Sequence, residues 1–276
     1  DGLNLRAYRH EPNVGKRKSW AAGDAVSRGI ELASISEFED EIYSEIQKDE
    51  NWGFEKVFLN GENLSFGKDL NDWVIENVLF KVLYPAEFHG QSAIEASVKL
   101  SDLYKEREQE IEGIIIETHE PAIRIISNKD KLKNASDRDH SLEFMVAAGL
   151  LFKEVNSKTY EDNFSGLKQI ENLRRKIKVQ ENKEFTENYY DISKRHIANT
   201  VYFEYNDGSF SKKETVETPI GHPNRREEAE PLLKQKFINN MSSHFSEERA
   251  KDIWEKILLI DVDSEFKEVI KLLSND

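Results

Sequence analysis

The run Ile197-Ala198-Asn199-Thr200-Val201-Tyr202-Phe203-Glu204-Tyr205, continued by Asn206-Asp207-Gly208, decides the fold class of this chain. Asn199, Val201, Phe203 and Tyr205 alternate with Ala198, Thr200, Tyr202 and Glu204, which places the two sets on opposite faces of a strand. Asp207-Gly208 is a turn pair, so a hairpin with the segment Phe210 to Thr218 is expected.

Outward from this hairpin the chain changes character. Downstream, Pro219-Ile220-Gly221-His222-Pro223 reads as a linker. Helical spacing follows in Ala229, Leu233 and Phe237, in Ile253, Trp254 and Ile257, and in Phe266, Val269, Ile270 and Leu273, with Ser246 and Ser264 as N-caps. Upstream, Phe164 to Lys176 has helical phase. Asp137-Arg138-Asp139-His140 opens a helix striped by Leu142, Met145, Val146, Gly149 and Leu150, with Asp137 as its N-cap and dipole partner. His140 reads as a hydrogen-bonded structural residue, with a base as the other reading. Ile111 to Thr118 and Ala122 to Ile126 are β-branched runs separated by His119-Glu120-Pro121 and are expected as strands. The first third is helical: Trp20 to Ser34 sets Ala22, Ala25, Val26, Gly29 and Ala33 on one face, and Glu37 to Lys48 spaces Phe38, Ile42 and Ile46 in an acidic helix. No internal repeat interrupts this order. The fold class is therefore α+β, with a discontinuous all-α domain (1–76 and 219–276) interrupted by a smaller α/β lid domain (77–218) and a cleft where they meet.

The totals bound the function. The 276 residues carry a net charge of -14, which disfavours a general nucleic-acid binder, because phosphate neutralisation needs a basic face. No apolar run approaches membrane-spanning length. With no cysteine, disulfides, thiol nucleophiles, all-cysteine zinc sites and cysteine-held iron–sulfur clusters are excluded. There is no phosphate loop, nucleophile elbow, paired-His zinc motif or calcium loop, and the seven His residues show no metal-ligand spacing. An enzyme built on this sequence works with side chains alone, with neither metal nor cofactor. The chain opens on Asp1-Gly2-Leu3-Asn4-Leu5 without an initiator Met or signal peptide, and reads as a processed form or a fragment.

The densest polar chemistry lies between Glu76 and Ala96, where Lys81, Glu87, His89 and Gln91 stand in an aromatic and apolar frame divided by Pro85. Two readings fit: a ligand pocket, or a strand, turn and amphipathic helix whose polar residues face water. Arg124, among Ile123, Ile125 and Ile126, is either a rigid carboxylate grip on a strand or a surface arginine. Ser27 and Arg28 read first as a solvated helix face.

The stretches Arg17-Lys18-Ser19-Trp20-Ala21-Ala22-Gly23-Asp24-Ala25, Glu76-Asn77-Val78-Leu79-Phe80-Lys81, Tyr84-Pro85-Ala86-Glu87-Phe88-His89, Thr118-His119-Glu120, Asp137-Arg138-Asp139-His140 and Pro219-Ile220-Gly221-His222 closely resemble the C-terminal part of the MmgE/PrpD family, within it the branch acting on 2-methylcitrate. The match runs in one order across nearly the whole chain, departing at Glu37 to Glu50, where relatives carry a Gly-Tyr-Pro stretch. The resemblance implies a helical domain with an inserted α/β lid, usually a homodimer, of the cytoplasm or, in a eukaryote, the mitochondrial matrix. It also implies a cofactor-free dehydration of 2-methylcitrate to 2-methyl-cis-aconitate in propionate catabolism. By the same resemblance Lys81 matches a lysine of the lid side of the active site, and Ser27 and Arg28 lie where cis-aconitate decarboxylases have a cationic residue. Lys81 and His89 are the catalytic candidates; Ser27, Arg28, Glu87, Gln91 and Arg124 are candidates for binding the small tricarboxylate substrate. Family members begin with a long helical segment that brings acid and His residues to the site. This chain has no counterpart of it, so alone it is expected to hold one side of a cleft and to be inactive or nearly so. The alternatives are cis-aconitate hydration or decarboxylation within the family, or a non-catalytic interaction fragment.

Overall fold

The computed structural model describes residues 20–38, 46–65, 78–127, 130–261 and 266–274. They fall in two compact units, Asp1–Val78 and Leu79–Asp276.

In the first unit, α1 (Trp20–Ser36) and α2 (Phe54–Phe58) are the described helices. On α1, Arg28 pairs with Asp24 one turn back, Nε to Oδ2 at 3.0 Å, and both are solvated. Glu55 of α2 is buried and accepts from Gln47 Nε2 and Leu64 N, each at 2.8 Å. Of the acidic helix expected over Glu37 to Lys48, residues 39–45 lie outside the described residues, and 46–48 form a turn.

The second unit runs α3 (Gln91–Arg107), β1 (Ile111–Thr118), α4 (Glu120–Ile126), α5 (Ala135–Arg138), α6 (Leu142–Phe152), α7 (Leu167–Arg174), β2 (Ile177–Glu181), α8 (Lys183–Tyr190), β3 (Asn199–Tyr205), β4 (Glu214–Val216), α9 (Arg226–Met241), α10 (Glu247–Ile257) and α11 (Phe266–Leu273). The four strands form one mixed sheet in the order β2-β1-β3-β4. β1 and β2 are parallel, joined by the crossover through α4 to α7; β1–β3 and β3–β4 are antiparallel. The α+β class expected from the hairpin and its helical surroundings is what the chain adopts. The turn closes as its residues suggest: Tyr205 N donates to Ser209 O at 2.9 Å, and Asp207 Oδ1 accepts from Ser209 N at 2.9 Å.

The core lies where α3 crosses β3 and β4 and α6 packs on α3. α6 is apolar all round and buried from Leu142 to Leu150, as a helix with no polar face must be. Ile94 and Leu100 of α3, Ile114 and Ile116 of β1, and Val201 and Phe203 of β3 complete it. The two helices meet closely because Gly149 has no side chain: a Cβ there would lie 2.0 Å from Ser97 Oγ. Beside it Ser101 Oγ donates to Leu150 O at 2.6 Å.

Several local expectations are corrected. Ala122 to Ile126, expected as a strand, is helical in α4. Pro121 sits in its first turn, where the missing N–H costs nothing, and Glu120 pairs with Arg124 at 3.3 Å across one turn. Asp137-Arg138-Asp139-His140 closes α5 rather than opening α6. The caps are Asn134, accepting from Asp137 N, and Ser141, accepting from Phe144 N, while Asp137 Oδ2 accepts from Lys133 N at 2.7 Å. His140 is hydrogen-bonded, Nδ1 lying 3.0 Å from Ser136 O. The helix expected over Phe164 to Lys176 is confined to α7, because Ile177 opens the edge strand β2. The strand expected over Phe210 to Thr218 keeps only Glu214–Val216, with a bridge from Phe210 to Glu204. The supposed linker is packed: His222 is buried, accepting at Nδ1 from Asn224 N at 3.2 Å and donating from Nε2 to Arg195 O at 3.3 Å. Ser246 caps α10 as expected, accepting from Arg249 N, and Ser264 lies outside the described residues.

Candidate active site

Three strand ends converge at Thr118, which stands opposite Glu181 of β2 and Asn199 of β3. The next residue, His119, is the N-cap of α4, yet its side chain makes no cap bond, so the ring turns into the protein. It is fully buried and stacks on Tyr189 of α8, with centroids 4.8 Å apart and planes 13° off parallel. Nδ1 lies 3.4 Å from Ala198 O and 3.3 Å from Thr118 Oγ1. The carbonyl can only accept, so Nδ1 carries the proton and Nε2, with no partner among the described residues, presents a bare lone pair. Burial, assisted by the charge of His89, pushes the His119 imidazole down to about 4.

The second part comes from the turn between Pro85 and α3. Glu87 caps the short 3-10 helix Phe88–Gly90, with Oε2 accepting from His89 N at 2.7 Å. The same carboxylate receives the His89 ring, its two oxygens 2.9 and 2.8 Å from Nδ1. Burial would raise the Glu87 pKa, but the hydrogen bonds and charge of His89 outweigh it and hold the carboxyl below its ordinary value. With Nδ1 turned to Glu87, His89 Nε2 faces Tyr189, whose Oη lies 3.3 Å from it. The His89 and His119 rings are 5.1 Å apart. The result is a chain from carboxylate to imidazole to phenol, backed by a second, neutral imidazole. Burial, with Tyr190 and Glu87, raises the Tyr189 pKa, against the nearby charge of Arg124.

Asn199 fastens this turn to the sheet. Its Nδ2 donates to His89 O at 2.9 Å and to Ser92 Oγ at 2.8 Å, and the Ser92 hydroxyl donates to Ile197 O. Asn199 Oδ1 is buried without a partner among the described residues, like His119 Nε2. Unpaired buried acceptors are costly and call for a donor from water or ligand.

Lys81 is exposed on the segment leading into the turn, its Nζ 5.3 Å from the centre of the Phe88 ring. That segment is docked by Phe80 N donating to Gly221 O at 3.1 Å. Only glycine suits position 221, with φ +101° and a hypothetical Cβ 2.0 Å from Phe80 O. Gln91 is buried and donates from Nε2 to Tyr84 O and Ala86 O, both at 2.9 Å, so its amide braces the turn. Arg124 is exposed on α4 beside Glu120. Ser27 and Arg28 lie on α1 in the other unit.

The structure thus joins Glu87 directly to His89 and connects Lys81 to them through Phe88. It adds three residues that sequence reasoning did not single out: His119, Tyr189 and Asn199. A histidine directly after a buried strand and an asparagine inside an apolar alternation were the available signals; Tyr189 had none. A cleft of about 630 Å³ lined by Arg138, Glu143, Arg174 and Arg175 lies elsewhere, and none of the candidate residues lines it. Among the described residues no helix is long and apolar enough to cross a membrane.

Residues 84–261 match the MmgE/PrpD C-terminal domain. The chain is 43% identical over 258 residues to a 2-methylcitrate dehydratase of Escherichia coli (strain K12), covering 92% of this chain and 53% of the relative. It is 40% identical over 256 residues to one of Cupriavidus necator, covering 92% and 53%. It is 41% identical over 257 residues to a probable 2-methylcitrate dehydratase of Saccharomyces cerevisiae, covering 91% and 50%. The chain therefore spans about half the length of these curated relatives. By this match, which takes in the Glu87–His89 turn, His119, Tyr189 and Asn199 together, the chain belongs to the MmgE/PrpD family and contains its C-terminal domain.

Proposed function

We propose that this chain supplies the lid side of the active site of a cofactor-free hydro-lyase that dehydrates 2-methylcitrate to 2-methyl-cis-aconitate in propionate catabolism. The observation that carries the reading is the Glu87–His89–Tyr189 chain, with Lys81 over the ring of the intervening Phe88, in a sequence whose relatives are named for that reaction. Dehydration breaks a C–H bond beside a carboxylate and a C–O bond to hydroxyl, forms a C=C bond and releases water. His89 is oriented to take the proton at Nε2 by way of the Tyr189 hydroxyl that it faces, with the Glu87 carboxylate stabilising the imidazolium that forms. Negative charge accumulates on the neighbouring substrate carboxylate, and the Lys81 ammonium meets it there. Asn199 and Gln91 hold the turn in place, and Arg124 offers a more exposed contact to a second carboxylate. The remaining acid and imidazole groups are expected from the part of the relatives' length that this chain does not span. The same reading takes the enzyme as a homodimer of the cytoplasm or the mitochondrial matrix; a relative from Yarrowia lipolytica is named mitochondrial.

Calorimetry with 2-methylcitrate tests this. The chain is expected to give carboxylate-dependent heat that Lys81→Ala abolishes, with turnover absent or slight. Unchanged binding by Lys81→Ala removes Lys81 from the site, and turnover equal to a full-length relative overturns the half-site reading.

A further inference from the structure

Helix α9 reaches the segment that carries Lys81 twice. Near its start Arg226 lays its guanidinium over the Phe80 ring at 3.9 Å, and further along Lys236 donates from Nζ to the Lys81 carbonyl. Lys236 is half-buried. Burial, and then the charge of Lys81, hold its ammonium below the ordinary lysine range, so the two cations sense each other. Among the described residues no Asp or Glu forms a salt bridge with either ammonium. In a chain with 53 acidic and 39 basic residues, carboxylates are plentiful, yet none among the described residues pairs with these two lysines. Partly burying the Lys236 ammonium against the main chain of a second lysine costs free energy, which a bound anion offsets.

We propose that Lys236 joins Lys81 in a two-lysine clamp for a carboxylate of a small di- or tricarboxylate. This rests on the reading of Lys81 given above. An ammonium has three N–H donors; Lys236 uses one on the Lys81 carbonyl, which fixes its head beside the backbone of its partner. Two donors remain on Lys236 and three on Lys81, enough to satisfy both oxygens of one carboxylate from two sides. The hydrogen bond has a second effect: it holds the main chain from which Lys81 projects, so the clamp is preorganised.

The test is a titration of this 276-residue chain with tricarballylate, a tricarboxylate with no hydroxyl to lose, followed by the lysine Nζ signals in 15N NMR. Both Lys81 and Lys236 signals should move and saturate together. Lys236→Met should weaken binding by about 10- to 100-fold, the range of a lost charge-assisted hydrogen bond, and Lys236→Arg should restore most of it. If Lys81 moves and Lys236 does not, the clamp is wrong while the lid-side reading stands, since Lys236 then only braces a carbonyl. If neither moves, both readings fall. Should Lys236→Met fail to fold, the titration of the unmodified chain still decides.

Discussion

Lowering the pH should destabilise the second unit through His119, by an amount that its burial sets. An unfolded histidine titrates near its ordinary value of 6.5, whereas burial holds the folded His119 at about 4. Between those values the unfolded chain binds the proton and the folded one does not. Stability therefore falls as pH drops through this window, and the loss is complete below the folded value. The whole interval is worth about 3 kcal/mol, of which about 2 kcal/mol should be lost between pH of about 7 and about 5. Glu87 acts in a different range: its folded pKa is depressed, so its contribution is present above the unfolded carboxyl value and is lost only as pH falls through the folded one. His222, also lowered by burial, contributes in the same sense as His119 but is common to wild type and variant. Urea unfolding followed by circular dichroism, on wild type and His119→Gln at both pH values, isolates the effect. His119→Gln loses the stacking on Tyr189 and is expected to be less stable at neutral pH, yet flatter with pH by about 2 kcal/mol. Equal losses in the two proteins would refute the assignment of His119 as a neutral buried imidazole.

Two further outcomes follow from geometry. Glu87→Gln removes the carboxylate that keeps the proton on His89 Nδ1, so long-range 15N–1H imidazole spectra should shift towards the Nε2–H tautomer; an unchanged spectrum means that Glu87 does not set it. Gly149→Ala should destabilise by about 1–3 kcal/mol in denaturant titrations, since the new methyl meets Ser97 Oγ between two buried helices, and Ser97→Gly should relieve much of that cost.

The parts of this fold legible from residues alone are those whose burial pattern and local chemistry agree. The β3–β4 hairpin announces itself by alternation and by Asp207-Gly208, and α6 by its apolar stripe, although its cap is Ser141 and not the Asp137 expected. α4 was not legible as a helix because Ala122-Ile123-Arg124-Ile125-Ile126 has strand composition. What overrides it is placement: Pro121 starts the turn, His119 O accepts from Ala122 N at 3.1 Å, and Ala122 and Ile126, one turn apart, are both buried. β2 escaped for the opposite reason, since an edge strand reading Ile-Lys-Val-Gln-Glu is mostly solvated and carries a weak signal. At the site, Glu87 and His89 were legible because they are neighbours in one turn. His119, Tyr189 and Asn199 were not, because what unites them is the meeting of three strand ends and a helix.

The hydrogen bond between His89 and Tyr189 closes 100 residues of chain, and that from Asn199 to His89 closes 110. These are among the long-range closures of the fold, and they presuppose a parallel β1–β2 pair that cannot zip until the helices between the two strands have been laid down. During synthesis, the cluster cannot assemble before Asn199 has been added, however well the helices upstream of it have formed. The polar centre thus depends on closures of high sequence separation, whose entropy cost must be met before they form. His89, bonded to Tyr189 through its ring and to Asn199 through its carbonyl, is the residue at which both closures meet.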